Sequence, residues 1–549
     1  MKRLLLVLAA GAALWTAACS SGGSSIMPPP PAGNFTLASL KGTYAFVTNG
    51  EVCVGQCGAA TQFARTGSFT ADGKGGISTT GGVYDIVNVG GSSTTASQPV
   101  AITGGSYTIN ADGRGTLQLN VNSNGAPTSI TFGIVLTSGS SGAAPATVGL
   151  MIDETSNAVQ ASTGSGNFVL QSPASFQISA ISGPYVFDFA GLDGNQPAGP
   201  ESLVGQFNTT NAGVFSSGVI DANIEFGLVS DAPIGPGTLT ADNTNMPTAG
   251  RGTATIAGQT YAFYIVDSTR VRFISINPGG AGPMLNGDAV AQKNTIPANM
   301  GAINDSFVFL VAGTSGSVSG AGGGLVRMAR FTANGAALSK MLMDQNDNGT
   351  NGQFNGLSNG AISTYDPNTG RGMFSFRDSN NNTYSFVFYL SSASSGVIQD
   401  VSGGNVLAVA DGSIEVQSGG PFSSSNITGS YAINWSGIVA TNGAQNEEDI
   451  LGQVKVSNLS LSGTSDSFQF TSNVLQPAQN IGTAGTITFL NGADGTGGDG
   501  HRVNLDVNLH SPTPVDFVVY IVSPQFAFIA NRDNNGAGRI VAGVIEAEQ

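Results

Sequence analysis

Only a few residues of this chain could do chemistry, and their spacing limits what that chemistry could be. The histidines are His501 and His510 alone, too few for a three-histidine zinc site. The chain offers no HExxH pair and no phosphate-binding loop. Carboxylates crowd in NEEDI, residues 446–450; a solvated acidic loop is expected there rather than a glycosidase pair. DQNDNGTNG opens like a calcium loop, with Asp344, Asn346 and Asn348 at alternate positions before Gly349. Asn355 stands where the twelfth position needs a bidentate glutamate, so an Asn/Gly turn is expected instead. Cys53 and Cys57 are expected to pair and pin one loop; a redox or metal CxxxC is the alternative, with no histidine or third cysteine nearby to support it. No catalytic residue, cofactor or metal is expected, and the chain is read as no enzyme.

The arginines carry the clearest pattern. Gly113-Arg114-Gly115, Gly250-Arg251-Gly252 and Gly370-Arg371-Gly372 repeat one turn. An acidic residue precedes each arginine at a near-constant distance: Asp85 by 29, Asp221 by 30 and Asp344 by 27. The planar guanidinium fork suits bidentate pairing with a carboxylate. The spacing therefore predicts a structural ion pair within each repeat: Asp85 with Arg114, Asp221 with Arg251, Asp344 with Arg371. Three anion-binding arginines are the functional alternative. A fourth copy has TAGTITF where the arginine is expected, and neither partner is evident there.

These residues must be held by repeated elements. LKGTYAFVTNG from Leu40 returns as ISGPYVFDFAG from Ile181, INDSFVFLVAG from Ile303 and ITGSYAINWSG from Ile427, at spacings of 141, 122 and 124 residues. Each start carries a period-2 pair, such as Tyr44 and Phe46, that puts both large side chains on one strand face. A period this long suits a whole small domain rather than a solenoid repeat. Within the first repeat about eight short strands follow one another, joined by turns such as Asp72-Gly73 and Asp112-Gly113. An even number of antiparallel strands lets the last pair with the first and removes both edges. The expected fold is all-β: four tandem small antiparallel domains, most simply eight-stranded up-and-down β-barrels, with β-sandwiches as the alternative. The expected boundaries are 37–178, 179–300, 301–424 and 425–549.

The opening MKRLLLVLAAGAALWTAAC resembles a bacterial lipoprotein signal over residues 1–19: a basic start, a short apolar run, and small residues before Cys19. An ordinary secretory signal is the alternative. The resemblance implies lipidation of Cys19 and anchoring in the cell envelope, with Ser20 favouring the outer membrane. A Ser/Gly/Pro tether over 20–36 follows. The formal charge of −15 argues against nucleic acid as a partner. Charged residues make up 10% of the chain, against ~25% in an ordinary globular protein, and Gly, Ser, Thr and Asn take their place.

The series GTYAF, GSFTADGKGGI and GSYTINADGRGTLQL resembles the repeat of a group of uncharacterised bacterial lipoproteins. The architecture is also distantly similar to lipocalin and avidin barrels, although Gly42-Thr43-Tyr44 stands where those carry Gly-x-Trp. The first resemblance implies no activity, and no ligand residue carries over from the second. The expectation is a lipid-anchored protein with a scaffold, adhesion or interaction role and an envelope protein or glycan as partner. A carrier of a small apolar or sugar ligand is the alternative.

Overall fold

The computed structural model describes residues 35–548, apart from 55–60, 90–98, 124–125, 140–143, 157–159, 196–197, 277–281, 317–322, 442–443, 472–473, 476–484, 491–500, 508–514 and 533–537. Cys19, Cys57 and His510 lie outside the described residues. The chain is all-β, with one nine-stranded antiparallel sheet per repeat. In repeat 1 the first strand, Lys41–Val54, pairs with Thr61–Asp72 on one side and with the last strand, Gln160–Leu170, on the other. Gly183–Leu192, Ser306–Ser315 and Gly429–Thr441 do the same in repeats 2, 3 and 4. Repeats 1, 3 and 4 thereby close into up-and-down barrels, not sandwiches. Repeat 2 is a half-barrel, open between its third strand (Phe215–Ile224) and its fourth (Leu239–Ala241) and spanned there by the single bridge Val214–Thr238.

Alternation sorts the side chains as the period-2 pattern requires. The inward set of repeat 1 includes Tyr44, Phe46, Phe69, Phe132 and Phe168, all fully buried in one cluster. Each of the other repeats has its own such cluster. The outward set is also largely apolar, because the barrels lie on one another. Ala45, Val83 and Val169 of repeat 1 pack on Ala249, Tyr264 and Val266 of repeat 2. Val186 and Val204 of repeat 2 meet Val387, Tyr389 and Val397 of repeat 3. Strands buried on both faces have little room for charge, which accounts for the low charged fraction.

The order of contacts is head to tail. Repeat 1 meets repeat 2 through Thr61–Asp72, repeat 2 meets repeat 3 through Pro200–Thr209, and repeat 3 meets repeat 4 through Gly323–Asn334. Repeat 4 then returns to repeat 1, its strands Gly429–Thr441 and Ala444–Ser457 lying against Val148–Asp153 and Gln160–Leu170. A head-to-tail contact that returns to its start makes a closed ring. The pairing between the third and fourth strands is short in every repeat: three residue pairs in repeat 1, a lone bridge in repeat 2 and two pairs in repeat 4. It is a single residue pair, Ala337 with Ala361, in repeat 3. There the third strand leaves its own barrel and presents its outer face to the next one.

Candidate functional site: clasps between the barrels

The third strand of repeat 1, Gly82–Val89, alternates Tyr84 and Ile86 inward with Val83, Asp85 and Val87 outward. The outward carboxylate of Asp85 is fully buried against repeat 2. There Arg251 donates from Nε to Oδ2 at 2.8 Å and from Nη2 to Oδ1 at 2.9 Å. Tyr264, on the neighbouring strand and cross-paired with Arg251, donates its hydroxyl to Oδ2 at 2.7 Å. Repeat 2 offers Asp221 to repeat 3 in the same way: Arg371 donates two bonds of 2.7 Å, and Tyr389 one of 2.5 Å. Repeat 3 offers Asp344 to Arg502 and to Tyr520, whose hydroxyl lies at 2.6 Å. We call this set of Asp, Arg and Tyr a clasp.

The pairing expected within each repeat is therefore corrected. Asp85 pairs with Arg251 instead of Arg114, Asp221 with Arg371 instead of Arg251, and Asp344 with Arg502 instead of Arg371. The reason is the departure of the third strand, which carries the carboxylate away from its own fifth strand. Anion binding by Arg251 and Arg371 loses its basis, since both forks are filled by carboxylates. The electrostatics agree. Burial alone would lower the Arg251 guanidinium, but the bonds and charge of Asp85 raise it above its ordinary value. The hydrogen bonds of Asp221 raise Arg371 likewise. Burial, with the charge of the clasp carboxylate, raises the hydroxyls of Tyr264, Tyr389 and Tyr520.

The glycines around the arginine are explained locally. Gly113, Gly250 and Gly370 have φ of 85°, 65° and 70°, a region that favours glycine. A Cβ on Gly252 or Gly372 would lie 2.3 or 2.2 Å from the ring of Phe263 or Phe388. Arg502 is followed by Val503, and the facing residue is Val519 rather than phenylalanine. Repeat 4 thus keeps the arginine and loses the glycine signature that would reveal it.

A second connector accompanies the clasp. The residue after each last strand is a glutamine in repeats 1 to 3. Gln171 donates to the carbonyls of Ala249 and Ile265, and Gln292 to those of Thr369 and Leu390. Gln417 donates to Ile521 O and accepts from Arg330.

The closing junction, repeat 4 to repeat 1, differs. Asp466 occupies the clasp position of repeat 4, but Arg114 turns to Asp112 of its own hairpin at 2.9 Å and reaches Asp466 only at 3.6 Å. Val135 stands where the clasp tyrosine would be. Glu548 replaces the glutamine; its backbone N–H donates to Ser430 O and its carboxyl meets Gln453, both within repeat 4. Hydrogen bonds without an arginine hold this junction: Thr163 to Asp449 at 2.7 Å, Ser165 to Asn434 at 2.8 Å, and Asn434 to Gly166 O at 2.9 Å.

The remaining candidate residues fall into place. NEEDI is not a solvated loop: it lies in the strand Ala444–Ser457, with Glu448 and Asp449 fully buried. Glu448 takes both bonds of Arg539, and Asp449 faces repeat 1. Asp344 and Asn346 sit in the strand Ala337–Asp347, and Asn348-Gly349 form the following turn, so no calcium loop is built. His501 accepts at Nε2 from Arg330 of repeat 3 at 2.9 Å, which joins barrels and leaves that nitrogen no role as a base. A GxSxG spacing exists at residues 356–360, but Ser358 opens a strand rather than a strand-to-helix elbow. Cys53 is disulfide-bonded. Among the described residues no group of three or more His, Cys, Asp or Glu is placed to hold a metal ion.

No protein-family model and no curated protein matches the chain. Among solved structures, kievitone hydratase from Nectria haematococca is similar over 47% of this chain and 95% of its own, at 10% identity and a TM-score of 0.17. A mutant of transferrin binding protein B from Haemophilus parasuis is similar over 72% and 82%, at 11% identity and 0.17. CghA is similar over 81% and 95%, at 9% identity and 0.16. Scores this low carry no argument about activity.

Proposed function

We propose that the chain is a non-enzymatic protein of the cell envelope, lipid-anchored at Cys19, that presents four barrels as one rigid body for interaction with an envelope protein or a glycan. The observation that supports a scaffold is the use to which buried chemistry is put. Asp85, Asp221, Asp344 and their arginines and tyrosines all serve barrel-to-barrel assembly. The interiors of repeats 1 to 3 are filled by their own aromatic rings. The anchor rests on the leader and on the Ser/Gly/Pro tether before the first barrel. The acidic charge argues against nucleic acid as a partner.

Metabolic labelling with an alkyne-tagged palmitate tests the anchor. Labelled wild-type chain in the membrane fraction, with Cys19→Ser unlabelled and released, is the expected result. Equal release of both would refute anchoring. Protease shaving of intact cells then separates display at the surface from a periplasmic face.

A further inference from the structure

Repeat 4 departs from all three other repeats in one place and from repeats 2 and 3 in another, both at one end of its barrel. The first lies across strands one and two. Tyr44 stacks on Phe69 at 5.6 Å, Tyr185 on Phe207 at 5.7 Å, and Phe307 on Phe331 at 5.4 Å. In repeat 4 the same register sets Tyr431 against Val454. The second is the entry segment. Repeats 2 and 3 enter through the one-turn helices Ile178–Ala180 and Met300–Ala302, whose Ile178 and Met300 pack onto the barrel core. At the matching position, three residues before Ile427, repeat 4 has the exposed Ser424 in a turn.

Between these two changes lies an apolar cavity of about 50 Å³, walled by Tyr431, Val454, Val456, Leu461, Ile487 and Ile521 among others, with no charged residue. The Tyr431 hydroxyl is already spent on Ile427 O at 3.0 Å and Pro524 O at 3.2 Å. Ser523, the other polar side chain of the wall, accepts the Gln525 N–H at 3.2 Å. Water needs two to four polar partners to settle in a cavity, and this wall does not supply them. One water needs roughly 10–15 Å³ and the apolar cavity that takes benzene is about 150 Å³, so the space suits the end of an alkyl chain rather than a ring.

We propose that the interior of barrel 4 is a binding site for the alkyl-chain end of an uncharged apolar ligand. This goes beyond the scaffold role, which does not need it. The driving force is removal of apolar ligand surface from water into a wall that leaves no polar group unmet.

The test is ¹⁹F NMR of 6,6,6-trifluorohexan-1-ol with the four-barrel chain lacking its leader. Trp435, the only tryptophan beyond Trp15, packs tilted against Phe517 at 4.8 Å in the same interior and reports that the barrel is folded. Wild type is expected to bind one equivalent saturably. Val454→Phe, which restores the ring found in the other repeats, is expected to weaken binding at least tenfold while Trp435 emission stays native. Ser424→Leu, which restores the plug, serves if the first variant misfolds and is expected to do the same. No saturable binding by wild type, or undiminished binding by both folded variants, overturns the site.

Discussion

Three junctions of the ring and the fourth are built from the same barrel faces but not by the same means. Between repeats 1 and 2, 2 and 3, and 3 and 4, a buried carboxylate takes an arginine and a tyrosine from the next barrel, and a glutamine latches the linker. At the closing junction the arginine is turned aside, the tyrosine is Val135 and the glutamine is Glu548. The first three junctions also have a peptide linker across them; the fourth does not. The joint with no covalent support is thus also the one without a clasp. The ring should therefore open at the seam between repeats 4 and 1, with the other three junctions kept.

The seam also holds the densest set of unfavourably buried acids. Burial, then the charge of Asp449, raises Glu51 to about 7. Burial raises Asp449 to about 7, and Glu447 well above its usual range. Burial, then Asp466 and Asp153, raises Glu154 to about 8. Only Asp466 is eased by a cation across the seam, Arg114, and burial still raises it. Asp153 is held by Arg65 within repeat 1.

The largest effect is expected from Arg371→Ala, at a clasped junction. It strands the buried Asp221 carboxylate and should cost about 3–5 kcal/mol. Hydrogen exchange should show the loss as faster opening of repeats 2 and 3 at their shared face, with repeat 4 little changed. A chain in which repeat 3 alone loosens would return the arginine to a role within its own barrel.

Next in size is the pH response. The raised carboxyls are protonated in the folded ring at pH values where the unfolded chain has already lost those protons. Closure is therefore fully favoured below about pH 4.5 as far as these groups are concerned. It weakens as pH rises through the window up to about pH 8, by about 1.4 kcal/mol per pH unit for each carboxyl that titrates by itself there. Proteolysis should first cut near the seam at pH 9 and not at pH 5. Glu51→Gln should flatten that dependence. Cleavage independent of pH would speak against the seam as the weak joint.

Tyr389→Phe removes one hydrogen bond to a charged, buried oxygen and should cost about 1.5–3 kcal/mol in urea unfolding. Arg114→Ala should cost least, about 1 kcal/mol or below, because its pair is part-exposed and long. If Arg114→Ala proves as damaging as Arg371→Ala, the seam has a clasp after all.

Much of this is legible in the sequence. Repeat starts such as Tyr44 and Phe46 point to the barrels, because one face has to be filled by large residues at period two. Asp85, Asp221, Asp344 and the arginines are recognisable as ion-pair residues. Their partners are not. A constant offset within repeats brings with it a near-constant offset between them: 166, 150 and 158 residues for the pairs that form. Periodicity cannot choose between the two; the departure of the third strand does, and that is a tertiary event. Arg502 is hidden because Val503 replaces the second glycine of the turn. Gln171, Gln292 and Gln417 have a readable signal, one residue past each last strand. NEEDI misleads because a burst of carboxylates usually means solvent, whereas here the outer face of the strand is covered by another barrel.

Small-angle scattering of the mature chain at pH 5 decides whether the four barrels form a clasped ring. A closed ring should give a radius of gyration near the compact-body value of about 24 Å for the 531 residues from Cys19 to Gln549. Four barrels strung in a line would give roughly 40 Å, and that result would contradict the clasped ring.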